Sequence, residues 1–264
     1  MFLVTESEEL PGSVLAAYER AARAGFQLAC EVEVGRLLAA LAAAVPSGGR
    51  VLEIGTGVGV GLAWLAYGLG ARRDVEVVTV ELDDEVQRTA LSAPWPPWVR
   101  FESGDGAEVV GRLGQFDLIF PDAPGGKIFK LRRTMAALRR GGVLVVDDMD
   151  LTRHEDEQLR AALAVVRHRL LDNAELVCAE LGFSSGVIVA VKRRSRPSRQ
   201  HTESSLRNVT VRAGRLTAPI ADSVLSLDDA VAETGQYRTF SMCGTSPPGT
   251  SARMCASLNS SAIT

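Results

Sequence analysis

A short apolar run, residues 50–54, opens directly into Glu53-Ile54-Gly55-Thr56-Gly57-Val58-Gly59-Val60-Gly61. Glycines in this position let the backbone turn tightly after a buried strand and come close to a ligand. A helical stretch, 59–69, follows, and the strand-then-helix alternation continues along the chain. Further strands are expected at 75–80, 99–102, 116–120 and 143–146, with helices at 83–91, 106–113, 130–140 and 155–171. The 130–140 helix reads as closed by Gly141-Gly142, an ordinary C-terminal stop. Ahead of the first strand, 13–45 reads as two helices broken near Gly25 or Cys30, followed by the turn Pro46-Ser47-Gly48-Gly49. Three prolines make Ala93-Pro94-Trp95-Pro96-Pro97 a loop. A closing pair of strands, 174–180 and 186–191, flanks Gly182-Phe183-Ser184-Ser185. The pattern predicts a doubly wound α/β sheet, which binds ligands at the carboxyl ends of its strands.

The glycine turn is not the dinucleotide fingerprint GxGxxG. That pattern needs glycine at 60 or 62, where the chain has Val60 and Leu62. What stands here is an acid followed by GxGxG. The second strand ends Val78-Thr79-Val80-Glu81, about 20 residues past the last glycines, the distance at which a carboxylate reaches a ribose diol. Turn and acid together predict a nucleoside-bearing ligand.

Val51-Leu52-Glu53-Ile54-Gly55-Thr56-Gly57, then Val80-Glu81, then Ser103-Gly104-Asp105-Gly106-Ala107, resemble the successive cofactor motifs of S-adenosylmethionine (SAM)-dependent methyltransferases. More narrowly, residues 30–193 resemble the small O-methyltransferases related to catechol and caffeoyl-CoA O-methyltransferases. The resemblance implies a Rossmann-like class I fold, a seven-stranded mostly parallel sheet with helices on both faces and an antiparallel last strand. It implies that Glu53, Gly55, Thr56 and Gly57 line the methionine part of SAM. Gly61 stands where the family often has serine. Glu81 would hold the ribose hydroxyls, and Asp105, Gly106 and Ala107 would border the adenine.

The fourth strand ends Phe120-Pro121-Asp122 and the fifth Val146-Asp147-Asp148, so three acids are expected at the edge that carries the glycine turn. Converging carboxylates repel one another without a cation or donors, and a hard divalent ion such as Mg2+ accepts an oxygen-only set. The competing expectation is that Asp122 and Asp148 cap the helices that follow. In the metal-dependent enzymes the chain resembles, the ligands are an Asp after strand four and an Asp-Asn pair after strand five; here the pair is Asp147-Asp148. Those enzymes also use a nearby lysine as base, which implies that role for Lys127, although the spacing is wider here; without a metal, Lys127 or Asp122 is the candidate base. Beside a metal and a sulfonium, the pKa of Lys127 is expected to fall; the alternative is a solvated lysine opening a helix. His154 and His168 lie fourteen residues apart, too far to share a metal if one continuous helix joins them. Trp95 and Trp98 are packing residues or walls of an apolar pocket.

Of the 264 residues, 46% are apolar and 23% charged, with a net charge of −3, which does not suggest wholesale nucleic-acid binding. No run approaches a membrane span, residues 1–9 carry no signal-peptide pattern, and the four cysteines form no CxxC pair; a reducing cytoplasm is expected. After Lys192 the usage changes to Arg, Ser and Thr with no further lysine. Residues 1–194 are therefore expected as the methyltransferase domain, with N-terminal helices at 13–45 and a cofactor-binding core at 50–193. Residues 195–264 are expected as a low-complexity, disordered tail with one short helix near 223–232. The expected activity is SAM-dependent O-methylation of a small phenol- or catechol-like acceptor, with metal assistance as an option. Rival readings are methylation of nitrogen or a macromolecule, a nicotinamide-dependent oxidoreductase, and a non-catalytic binder. The absence of an Asn/Asp-Pro-Pro-Tyr/Phe run weighs against nucleobase methylation. A homodimer is the expected assembly by analogy alone.

Overall fold

The computed structural model describes residues 9–194. The expected tail and its short helix lie outside the described residues.

Seven strands form one sheet: β1 (Arg50–Ile54), β2 (Glu76–Glu81), β3 (Val99–Ser103), β4 (Phe116–Pro121), β5 (Leu138–Val146), β6 (Leu176–Leu181) and β7 (Val187–Lys192). Their order is β3-β2-β1-β4-β5-β7-β6. The first five run parallel, and β7 lies antiparallel between β5 and β6. The central strand β1 is buried at every position but Arg50, and so reads as a nearly continuous apolar run.

The helices are α1 (Gly12–Ala24), α2 (Val32–Ala43), α3 (Val60–Leu69), α4 (Asp84–Leu91), α5 (Gly106–Val109), α6 (Pro124–Lys127), α7 (Leu131–Ala137) and α8 (Glu157–Leu171). On one face of the sheet α1, α2 and α3 pack Val14, Leu38 and Trp64 against Val51, Val77 and Phe120. On the other, α7 and α8 pack Leu131, Leu163 and Leu170 against Leu52, Ile54 and Ile119. Burying a side chain of this size stabilises by about 1.5–3 kcal/mol. Both expected breaks between α1 and α2 occur in one linker: Gly25 closes α1 in the left-handed region, and Cys30 lies just before α2.

One expectation is corrected. The helix expected to reach Arg140 ends at Ala137, and Leu138 already belongs to β5. Leu138 pairs with Phe116, yet Leu118 pairs with Val143, so residues 139–142 stand opposite Asp117 alone and β5 carries extra length there. Gly141-Gly142 is therefore part of a bulge and not a helix stop. Asp117 fixes the bulge by accepting from Arg139 Nη1 at 2.7 Å and from the Arg50 amide at 2.8 Å. His154 lies outside the helix of His168, as the expected start at 155 implies; it follows the 3-10 turn Leu151–Arg153 and precedes α8.

Among the described residues, no helix is long and apolar enough to cross a membrane.

Candidate active site

The glycine turn leaves β1 between its two parallel neighbours. The Gly55 and Thr56 amides donate to the Val80 carbonyl of β2, and the Asp122 amide donates back to the Ile54 carbonyl. Gly55 has φ +96°, and a Cβ there would stand 2.8 Å from the Asp122 carbonyl oxygen, so only glycine lets β1 and the end of β4 meet. Glu81, at the end of β2, closes the turn from the other side. Its Oε2 accepts from the Gly57 amide at 2.8 Å, and its Oε1 from the Leu82 and Asp83 amides. The carboxylate is thereby aimed by three backbone donors beside the turn.

Glu53 lies beneath the turn, 1% exposed. Thr79 Oγ1 donates to Glu53 Oε2 at 2.6 Å and lies 2.6 Å from Thr56 Oγ1, so one buried chain of polar groups joins β1, β2 and the turn. Burial pushes the Glu53 carboxyl up to about 8, against the opposing hydrogen bond from Thr79. Gly61 explains how the acid fits: a Cβ at 61 would lie 2.4 Å from Glu53 Oε1. After β3, Asp105 caps α5 by accepting from the Ala107 amide at 2.8 Å, and Gly106 packs on Ile54.

Asp122, Asp147 and Asp148 do converge: one carboxylate oxygen from each falls within 4.8 Å of the others. None of them caps a helix. Ala123 precedes α6, and Asp150 caps the following 3-10 turn. Asp148 has φ +61°, a left-handed conformation that Asp and Asn tolerate better than most residues.

Lys127 enters this cluster. Its Nζ is 3.0 Å from Asp147 Oδ1 and 2.7 Å from Asp148 Oδ2. Only 4% of the residue is exposed, which overturns the reading of a solvated lysine. The expected downward shift is also reversed. Burial pushes the ammonium down, but Asp147, Asp148 and Asp122 outweigh it and hold Lys127 above its ordinary value. Burial raises Asp122 well above the carboxylate range, helped by Asp147. Asp147 is raised by burial against the pull of Lys127. For Asp148, burial is outweighed by Lys127, which holds it low.

The donor chemistry of the three acids suits a hard divalent ion. In this structure, however, one oxygen of Asp147 and one of Asp148 are hydrogen-bonded to the chain's own ammonium.

Several residues at the site went unnoticed in the sequence. The Phe26 ring lies against Gly57, where a Cβ would meet it at 2.9 Å. Burial, followed by the charges of Asp122 and Asp147, pushes the Cys30 thiol well above its ordinary range. Arg20 Nε donates to the Val58 carbonyl at 2.7 Å, its guanidinium 5.6 Å over the Trp95 ring. The signal for Arg20 was a charge on the apolar stripe of Val14, Ala17 and Ala21. Trp95 is a packing residue that stiffens this support, and Trp98 is buried in the core. His154 Nε2 lies 3.0 Å from the Asp148 carbonyl oxygen. Glu31, beside α2, pairs with Arg153 and accepts from Ser184.

The methyltransferase-domain family profile matches residues 52–149. A Mycolicibacterium vanbaalenii protein that bears an O-methyltransferase name is 38% identical over 142 residues, covering 50% of this chain and 61% of that protein. The chain thus spans about three fifths of that relative's length. A Mycobacterium ulcerans protein with the same name is 35% identical over 173 residues, 60% of this chain and 75% of the relative. Among solved structures, the O-methyltransferase TomG of Streptomyces achromogenes, in complex with SAM, superposes with a TM-score of 0.59 at 22% identity, covering 72% of this chain and 92% of that one. That likeness is one of fold. With the fold, the ordered motifs and these relatives in agreement, the chain belongs to the O-methyltransferase branch of the SAM-dependent methyltransferase family.

Proposed function

We propose that this chain moves the methyl group of SAM to the oxygen of a small hydroxylated acceptor, phenol- or catechol-like. The observation that carries the reading is the shared edge: the glycine turn after β1, Asp122 after β4 and Asp147-Asp148 after β5 face one small volume. Gly55, Thr56 and Gly57 would run along the methionine part, with Glu53 fixing them from below. Glu81 would take the ribose hydroxyls, and Asp105, Gly106 and Ala107 would border the adenine.

The electrophile comes with SAM, so the protein's task is to align the acceptor for in-line attack and to stabilise its developing anion. Asp122 is the candidate base. A divalent ion held by Asp122, Asp147 and Asp148 is a second reading, favoured by the closeness of their oxygens. A cytoplasmic homodimer is the expected setting, by analogy.

Two measurements test the reading. Calorimetry with SAM and with NAD separates a methyltransferase from an oxidoreductase. Methyl transfer over a panel of phenols and catechols separates an enzyme from a binder. Binding of NAD in preference to SAM would refute the assignment.

A further inference from the structure

We infer that Lys127 is itself the resident cation of the acid cluster, standing where a divalent ion would stand, and that methyl transfer here needs no metal. The second half of this inference rests on the function proposed above; the first rests on geometry alone.

The lysine is built into its place. Its backbone leaves β4 through Pro124-Gly125-Gly126, and that turn is tied at several points. The Ile128 and Phe129 amides both donate to the Pro124 carbonyl, and the Gly126 amide donates to the Phe129 carbonyl. Gly126 has φ +91°, and a Cβ there would stand 2.7 Å from Ile54 Cδ1. The fully buried Thr134 hydroxyl donates to the Gly126 carbonyl at 2.8 Å. The turn is therefore pinned to α7 and packed on β1, and it delivers Lys127 Nζ to the two carboxylates from a fixed origin.

The receiving side is shaped to match. Asp147 is 3% exposed and gives Oδ1 to the ammonium. Asp148 adopts a left-handed backbone and gives Oδ2. An ammonium has three donors and no acceptor, so two carboxylates at 3.0 and 2.7 Å leave it one N–H for a third oxygen. A divalent ion would have to take oxygens of these same carboxylates at roughly 2.0–2.6 Å, in the space beside them that the ammonium holds. It would also have to expel a lysine whose side chain is only 6% exposed.

In the transfer step Lys127 keeps all its protons. The acceptor hydroxyl gives its proton to Asp122 in its ionised form, which burial makes the more basic, while Lys127 donates a hydrogen bond to the acceptor oxygen. The oxygen lone pair forms the bond to the methyl carbon. The carbon–sulfur bond breaks with its electron pair left on sulfur, giving the methyl ether and S-adenosylhomocysteine.

Mn2+ is the probe, read by the loss of its free electron paramagnetic resonance signal on titration with the full chain. Wild type should leave the signal intact. Lys127→Ala should acquire a Mn2+ site, and adding Asp147→Asn should remove it again. Lys127→Gln replaces Lys127→Ala if the latter does not fold. Methyl transfer by wild type should be unchanged in excess EDTA. A Mn2+ site in wild type that is lost in Asp147→Asn would overturn the inference, as would failure of both lysine variants to bind Mn2+, or activity lost in EDTA and restored by Mg2+. The Mn2+ titration needs no acceptor, so a chain that methylates nothing refutes the proposed function and leaves the identity of the cation still decided by titration.

Discussion

Thr79 Oγ1 donates to Glu53 Oε2 across 2.6 Å at a point where neither residue is more than 1% exposed. The contact ties the strand that ends in Glu81 to the strand that opens into the glycine turn. The shape of the turn is thus set from inside the protein before any ligand arrives.

This burial gives the fold a pH dependence. The Glu53 carboxyl is pushed from 4.5 up to about 8 in the folded chain. Between those values the folded protein holds a proton that the unfolded chain has released, so stability falls as pH rises through the window. The contribution is complete below about 4.5 and lost above about 8. Glu53→Gln, which cannot ionise, should flatten this slope. Urea unfolding from pH 5 to 8.5 measures it, and parallel curves for the two proteins would rule out a buried neutral Glu53.

Gly61→Ala should force the Glu53 carboxylate out of its place, because the new methyl would stand 2.4 Å from Oε1. Overpacking of this kind costs about 1–3 kcal/mol. Glu53→Asp in the same chain withdraws the carboxyl and should recover part of the loss. Melting temperatures of the single and double variants provide the check; a double variant as unstable as the sum of the two singles would contradict the contact.

Glu81→Ala should weaken SAM binding by about 1–3 kcal/mol, since the ribose loses charge-assisted hydrogen bonds and the Gly57 amide loses its acceptor. Calorimetry with the folded variant measures this, and unchanged affinity would remove Glu81 from the site.

The buried pair Lys127–Asp147 should show strong coupling. Removing one partner leaves a charge without its counterpart, at a cost of about 3–5 kcal/mol, whereas replacing both by apolar residues is often far milder. Lys127→Met and Asp147→Leu, alone and together, form the cycle. Additive losses in denaturant unfolding would mean that the two do not depend on each other.

The strand–helix order, the turn at Gly55 to Gly61, and the acids after β2, β4 and β5 were legible because each depends on local pattern. A strand end followed by glycine or Asp announces its place in a parallel sheet. The bulge at Gly141-Gly142 was not legible: a glycine pair after a helical run is a normal stop signal, and only the pairing of Leu138 with Phe116 shows the strand starting early. The burial of Lys127 was not legible, because nothing local marks a lysine for burial; its two partners lie 20 and 21 residues on. Arg20, Phe26 and Cys30 were missed for a related reason, since their role comes from how the N-terminal helices dock over the turn.

The contacts of Glu31 reach unusually far along the chain. Its carboxylate meets Arg153, 122 residues later, and Ser184, 153 residues later. These partners come from the first and last parts of the described chain, beside Asp148, whose charge bears on both Glu31 and Arg153. Contacts this distant bring their loop-closure cost at the end of folding. On the ribosome, the glycine turn and Glu81 emerge and can pair while the β6–β7 turn is still unmade. The rim around the acids is then the last region to be completed, after the glycine turn and the Glu81 carboxylate are already in place.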